Sequence, residues 1–242
     1  MIHKFQTALR VVYPSRCVGC GAHVDSDYGL CGQCWAQTPF IGGLVCDACG
    51  VPLPGQDDGH RAYCDDCMKF DRPWVRGRSA LVYQGAARKL VLALKHGDRQ
   101  DTAMPAAKWM ANAVRPILKK NMILAPVPLH WRRMIARRYN QAALLARALA
   151  KELDLPHCPD LLIRPHHTQT TEGMGLAERF ESLAGSIEPH PRRLHRMAGR
   201  PVLLVDDVMT TGATLSAATR ACLVGRASDV CVITLARVAK DA

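Results

Sequence analysis

The chain has 242 residues, 48% of them hydrophobic, with 32 Lys/Arg against 21 Asp/Glu and a net charge of +11. That size suits one large or two modest domains with enough apolar content for a packed core. No apolar run approaches the roughly 18 residues of a membrane span, and Met1 to Thr7 lack the apolar stretch of a secretory signal. The expectation is a cytoplasmic protein with no membrane insertion. The charge is uneven: residues 1–75 hold six Lys/Arg against eight Asp/Glu, whereas residues 76–242 hold 26 against 13. A basic carboxyl-terminal part fits a polyanionic small ligand, a nucleic acid or both, although a solvated basic surface has the same composition.

Phe5, Leu9, Val12 and Tyr13 recur at helical spacing, so the chain should open on a short helix over residues 3–13, stopped by Pro14. Eight of the eleven cysteines then form four Cys-x2-Cys pairs: Cys17/Cys20, Cys31/Cys34, Cys46/Cys49 and Cys64/Cys67. Such a turn puts two thiolates on one side of a tight loop, and two turns complete a tetrahedral shell. In a cytosolic chain this predicts two structural four-cysteine Zn sites and not disulfides. Sequential pairing joins the first two turns and then the last two; a cross-braced pairing uses the same spacings, and iron–sulfur clusters also take four thiolates. His23 and His60 lie near the ligands but are not needed to fill either shell. With few large apolar residues the segment needs metal to fold, which predicts a small double zinc ribbon. Asp71-Arg72-Pro73-Trp74 reads as a linker, dividing the chain into 1–74, a short helix plus double zinc ribbon, and 75–242.

From residue 78 onward strands and helices alternate. Ser79–Tyr83 is an expected strand and Ala86–Lys95 an amphipathic helix closed by Gly97. A helix from Met104 to Arg115 follows, with Pro105 in its first turn and Pro116 at its end. Met122–Pro128 is a buried strand that leaves the ladder at its prolines. Beyond it, Arg132, Arg133, Arg137 and Arg138 fall within seven residues beside Trp131 and Tyr139. In a parallel sheet this loop shares the carboxyl edge, and arginine forks match phosphate oxygens, so it is a candidate for pyrophosphate or another polyanion. An Ala/Leu-rich helix over 140–152 and a short strand over 161–164 come next. Pro165–Ala184 is long and polar, with His166, His167, Thr168, Gln169, Glu172 and Arg179. A basic cluster, Arg192, Arg193 and Arg196, precedes the last strands.

The most informative stretch is Val202-Leu203-Leu204-Val205-Asp206-Asp207, followed by Thr210-Thr211-Gly212-Ala213-Thr214 and a helix from Ala213 to Val224. Four apolar residues between Arg200-Pro201 and the acid pair read as a buried parallel strand. The turn after it aims backbone N–H groups, hydroxyls and a helix N-terminus at one point, which suits a phosphate dianion, and Gly212 allows close approach. Asp206 and Asp207 can accept hydrogen bonds from a vicinal diol. Together these groups describe a ribose 5-phosphate site. Val230–Ala236 is the final strand, and Cys222 and Cys231 read as small buried apolar residues.

This signature resembles that of type I phosphoribosyltransferases, which bind phosphoribosyl pyrophosphate (PRPP). The resemblance implies that Asp206 and Asp207 hold the ribose hydroxyls, that Thr210, Thr211, Gly212, Ala213 and Thr214 hold the 5-phosphate, and that Mg²⁺ accompanies PRPP. It also implies that the segment after residue 165 is a hood over the ligand. Some members carry an acid at the position of Thr210 and use it near the base; this chain does not. Across nearly the whole chain, the two cysteine clusters, Leu94-Lys95-His96-Gly97-Asp98, Pro126-Val127-Pro128-Leu129-His130, Arg138-Tyr139-Asn140-Gln141 and the signature occur in the order of the ComF family, with its ComFC competence proteins and GntX-like relatives. Members usually show Arg-Gly-Phe-Asn-Gln where this chain has Arg137-Arg138-Tyr139-Asn140-Gln141, and Thr171 stands in the Gln position of the family's Thr-x-x-Gln.

The expected architecture is α/β: a type I phosphoribosyltransferase-like parallel sheet with helices on both faces, preceded by a small four-cysteine double zinc ribbon. The ComF resemblance implies a PRPP-binding protein that handles incoming single-stranded DNA in natural transformation, working with the DNA-uptake machinery. Basic loops with Trp131 and Tyr139 suit single strands by charge and stacking. The alternative is an active phosphoribosyltransferase in nucleotide or base salvage, with catalysis mostly electrostatic; no nucleobase pocket is recognisable. A PRPP-sensing regulator is a third reading, without a helix-turn-helix segment to support it. The acceptor, and whether turnover occurs at all, are open at this level.

Overall fold

In the computed structural model, residues 14–25, 29–96, 99–130, 134, 139–165 and 175–239 are described. The expected helix over residues 3–13 and the four arginines of the 132–138 loop lie outside them. So do residues 166–174 of the expected hood.

Each four-cysteine knot contains one short helix, α1 (Gly32–Gln37) and α2 (Asp65–Lys69), entered through Cys31 and Cys64. The Cys31 thiolate position caps α1 by accepting the Cys34 N–H. In α2, Asp65 and Asp66 sit in the first turn and Lys69 in the last, which complements the helix dipole. The remainder of each knot is held by isolated bridges: Arg16 with His23, Val45 with Pro52, and Cys46 with Ala62.

Strand β1 (Arg76–Val82) is followed by helices α3 (Gly85–His96) and α4 (Ala103–Val114). Then come β2 (Ile123–Pro126), α5 (Gln141–Leu153), and the two-residue strands β3 (Leu162–Ile163) and β4 (Glu188–Pro189), with α6 (Leu176–Leu183) between them. Helix α7 (Leu194–Met197), β5 (Pro201–Met209), α8 (Ala213–Val224) and β6 (Asp229–Arg237) complete the chain. The main sheet runs β1-β6-β5-β2 with every pairing parallel, and β3 pairs with β4 antiparallel in a small side sheet. All four carboxyl ends therefore lie on one edge, where ligands of such sheets bind.

Helices cover both faces of the sheet. On one, Leu203, Val205 and Ile233 pack with α3, α4 and α5 residues such as Leu94, Met110 and Leu149. On the other, Leu204 and Val232 pack with Ala217, Ala218 and Ala221 of α8, and with Leu183 of α6. Cys46, Ala48, Cys49, Cys67 and Trp74 belong to that second core as well. The stretch read as a linker from its Pro and charged residues is therefore structural: Trp74 is 4% exposed and donates its indole N–H to the Ala48 carbonyl. Between the knots, the Ile41 N–H donates to the Ala80 carbonyl and the Val82 N–H to that of Pro39, both at 2.9 Å. This segment covers the β1 edge, which would otherwise present open backbone groups.

The expected helix ends lie within about two residues of those observed, as terminal fraying allows. The signature strand is longer than its apolar run: β5 continues through both acids to Met209, because β6 pairs with it as far as Arg237. Within the expected hood, Leu176–Leu183 is helical, started by Gly175, whose N–H donates to Glu178 Oε2 at 2.9 Å.

Candidate phosphate site and metal centres

β5 outruns β2 by four residues, so Asp206 to Met209 project past the last β2 partner, Pro126 opposite Val205. Asp206 Oδ1 accepts the Asp207 N–H at 2.8 Å, and Asp207 Oδ1 accepts the Val208 N–H at 2.7 Å. Lys95 Nζ, from the end of α3, meets Asp207 Oδ2 at 3.1 Å. Burial, and then the neighbouring charge of Asp207, push the Asp206 carboxyl up to about 8, with the Asp207 N–H and Lys95 acting the other way. Asp206 thus favours its protonated form until a partner for its charge arrives.

After Met209 the chain turns into α8. Gly212 is the N-cap at φ +84, a left-handed conformation that costs a residue with a Cβ. Thr211 Oγ1 accepts the Ala213 N–H at 3.4 Å. The turn's carbonyls are held from outside by two arginines. Arg237 Nη1 donates to the carbonyls of Met209 at 3.3 Å and Thr210 at 2.6 Å, and Arg72 Nη1 donates to that of Thr211 at 2.6 Å. In a trans peptide the N–H points opposite to the C=O. The Thr211 N–H therefore points away from Arg237, and the Gly212 N–H away from Arg72. The first-turn amides of α8 also lack intrahelical acceptors. A small open cleft lies here, lined by Asp206, residues 208–215, and Arg179 and Leu183 of α6. Backbone donors, a helix N-terminus and a guanidinium around one cleft suit an anion of phosphate size.

The cysteines form two groups in chain order, Cys17, Cys20, Cys31 and Cys34, then Cys46, Cys49, Cys64 and Cys67, with the sulfurs of each within 4.8 Å of one another. The Sγ atoms of Cys20 and Cys31 are 3.7 Å apart, as are those of Cys49 and Cys64. A tetrahedron of Zn–S bonds near 2.3 Å has edges of about 3.8 Å. Both groups fit zinc, paired sequentially. In the second, Cys46 and Cys67 and then burial push the Cys49 thiol far above the ordinary thiol range, so ionising the whole set needs a cation.

Two family descriptions match the chain: a double zinc ribbon domain over residues 8–68 and a phosphoribosyl transferase domain over residues 140–242. Competence protein F of Haemophilus influenzae is 28% identical, covering 83% of this chain and 87% of its own. Competence protein ComFC of Bacillus subtilis is 28% identical over 87% of this chain and 85% of its own. DNA utilization protein YhgH of Escherichia coli K12 is 26% identical over 78% and 82%. Over most of its length the chain is similar to these competence and DNA utilization proteins, with a zinc ribbon followed by a phosphoribosyl transferase domain. Among solved structures, glutamine PRPP amidotransferase from B. subtilis overlays at a TM-score of 0.40 with 14% identity, covering 60% of this chain and 30% of that one.

The described residues of the scattered sequence motifs are tied together by hydrogen bonds. The Tyr139 hydroxyl donates to the Leu94 carbonyl at 2.6 Å, Asn140 Nδ2 to the Val127 carbonyl at 3.1 Å, and Gln141 Nε2 to the Lys95 carbonyl at 3.5 Å. Asn140 Oδ1 also caps α5 through the Ala143 N–H. Tyr139, Asn140 and Gln141 thus hold the Leu94, Lys95 and Val127 carbonyls, and Lys95 reaches the acid pair through Asp207. Asp206 and the 210–214 turn line the cleft, while Asp207 faces Lys95. Sequence reasoning assigned no role to Lys95, Arg72, Arg179 or Arg237. Lys95 had a signal, being inside a quoted motif. Arg237 had a faint one, a basic residue ending an apolar strand. Arg72 had none, since its partner lies 139 residues away.

Proposed function

We propose that the protein binds PRPP or a related sugar phosphate at the end of β5 and acts in DNA uptake, handling single-stranded DNA. Asp206 and Asp207 would accept the ribose hydroxyls, the Thr210–Thr214 turn would hold the 5-phosphate, and Arg132, Arg133, Arg137 and Arg138 would meet pyrophosphate or a nucleic-acid backbone. Mg²⁺ bound with PRPP would neutralise the pyrophosphate and the acid pair. The observation that carries the reading is the open cleft, with the turn's carbonyls held outside and its amides facing the other way. The DNA role is supported by relatives named competence protein F and DNA utilization protein, and by the excess of basic residues after residue 75. No helix among the described residues is long and apolar enough to cross a membrane.

Titration calorimetry of PRPP with Mg²⁺ tests the site. Binding to the wild type, and loss of at least about tenfold in the Asp206→Asn/Asp207→Asn variant, is expected. Unchanged affinity would reject the assignment. Single-strand affinity should fall steeply with salt, and replacing the four loop arginines should flatten that slope. Pyrophosphate release with one particular nucleobase would instead make the protein an active phosphoribosyltransferase.

A further inference from the structure

The second four-cysteine site and the phosphate turn are joined by one side chain. Arg72 Nε lies 3.5 Å from Cys67 Sγ, and its Nη1 donates to the Thr211 carbonyl at 2.6 Å. Its guanidinium also sits 5.6 Å from the Trp74 ring centroid, and that indole is locked to Ala48, between the zinc ligands Cys46 and Cys49. A Cβ on Gly212 would come within 3.0 Å of both Arg72 Nη1 and the Trp74 ring. The turn therefore rests directly on residues whose positions are set by the metal knot.

We propose that Arg72 is a positioning residue that couples the second four-cysteine site to the phosphate turn, so that an intact metal site sets the anion affinity of residues 210–214. A ligand sulfur fixed in a tetrahedral shell holds the guanidinium in one place; without the shell Cys67 can move and the anchor of Arg72 is lost. With Arg72 anchored on Cys67, the 211–212 peptide keeps its carbonyl outward and the Gly212 N–H on the opposite side. Released, that peptide can rotate and the turn loses a preorganised donor. Lysine cannot replace this arginine, because a single ammonium on a flexible stem does not span both acceptors as the planar fork does.

The inference rests on reading residues 206–214 as a phosphate site, and the test separates the two. Full-length wild type, Arg72→Met, Arg72→Lys, Cys67→Ser and the Cys67→Ser/Arg72→Met double variant are compared by amide hydrogen exchange over residues 209–216, where the Ala213 and Ser216 N–H groups are bonded to Thr211 Oγ1 and the Gly212 carbonyl, and by PRPP calorimetry. Metal analysis runs in parallel. Arg72→Met and Arg72→Lys should keep two zinc ions, lose exchange protection in the turn, and bind PRPP about tenfold more weakly, the scale of one charge-assisted hydrogen bond. Cys67→Ser should reproduce that loss, and the double variant should add little to it. Unchanged turn protection in both Arg72 variants, or fully additive losses in the double variant, would overturn the coupling. Lost protection in the Arg72 variants with no PRPP binding by the wild type would uphold the coupling and reject the PRPP reading. If Arg72→Met does not fold, Arg72→Lys decides by the same criteria.

Discussion

The two metal knots share a motif and differ in surroundings. In the first, Cys20 is exposed, Cys31 and Cys34 are half-buried, and α1 contributes no buried residue. In the second, Cys46, Cys49 and Cys67 are buried and share a core with the sheet and α8. The Cys46–Gly50 turn is pressed onto β1. Gly50, at φ +71, leaves no room for a Cβ, which would lie 2.6 Å from the Ser79 N. Between these cysteines Asp47 is 2% exposed and bound by Arg76 at 2.6 Å and Arg78 at 2.8 Å. Identical ligand chemistry thus serves two purposes: a peripheral knot that folds a ribbon, and an internal one that completes a domain.

Removing one ligand from each knot breaks this comparison most directly. Cys49→Ser should release one zinc and destabilise the whole chain by on the order of 3–5 kcal/mol in denaturant titration, since the metal's binding energy is folding energy for the shared core. Cys20→Ser should also release one zinc, yet leave the main unfolding transition nearly in place. Equal losses from the two variants would mean that the knots are equivalent.

The buried ion cluster sharpens the contrast at the next scale. Asp47→Ala should cost about 3 kcal/mol, because it removes the carboxylate that Arg76 and Arg78 share at the knot–sheet contact. Burial alone would raise the Asp47 carboxyl, but hydrogen bonds and charge from Arg76 and Arg78 outweigh it and hold the group below the usual carboxylate range. Its stabilising contribution is therefore full above the unfolded value near 4 and is lost as pH falls through the lower folded value. The acid limb of a stability–pH profile should flatten in the variant. An unchanged profile would remove Asp47 as the pin.

The smallest effect lies at the far end of the same contact chain. Asp206 has the opposite sign to Asp47: its folded value, about 8, lies above its unfolded one. Folded protein therefore holds the proton between about pH 4 and 8, and stability declines as pH rises through that window. Asp206→Asn should remove the decline and raise the melting temperature at pH 8 by a few degrees, roughly the scale of a 1 kcal/mol gain, while weakening PRPP binding. A lower melting temperature at pH 8 would show that the acid pair carries no strain.

Much of this was legible in the chain itself. Four Cys-x2-Cys turns announce two four-thiolate shells because ligand spacing and tetrahedral geometry are local facts, while which turns share a shell was decided by the fold. The Val202–Thr214 signature specifies strand, acids, turn and helix because each is set by residues a few positions apart. What distinguishes the two knots was not legible. Nothing in Cys17-x2-Cys20 against Cys46-x2-Cys49 says which one will be buried against a sheet, since that depends on β1 and Trp74 docking onto Ala48 and Asp47. Likewise, only tertiary structure decided that Lys95 meets Asp207 and that Arg72, in a stretch read as a linker, supports the phosphate turn. The physical reason is range. Periodicity and spacing report forces between near neighbours, whereas a half-buried charge held against a carbonyl 139 residues away finds its partner only when the whole core closes.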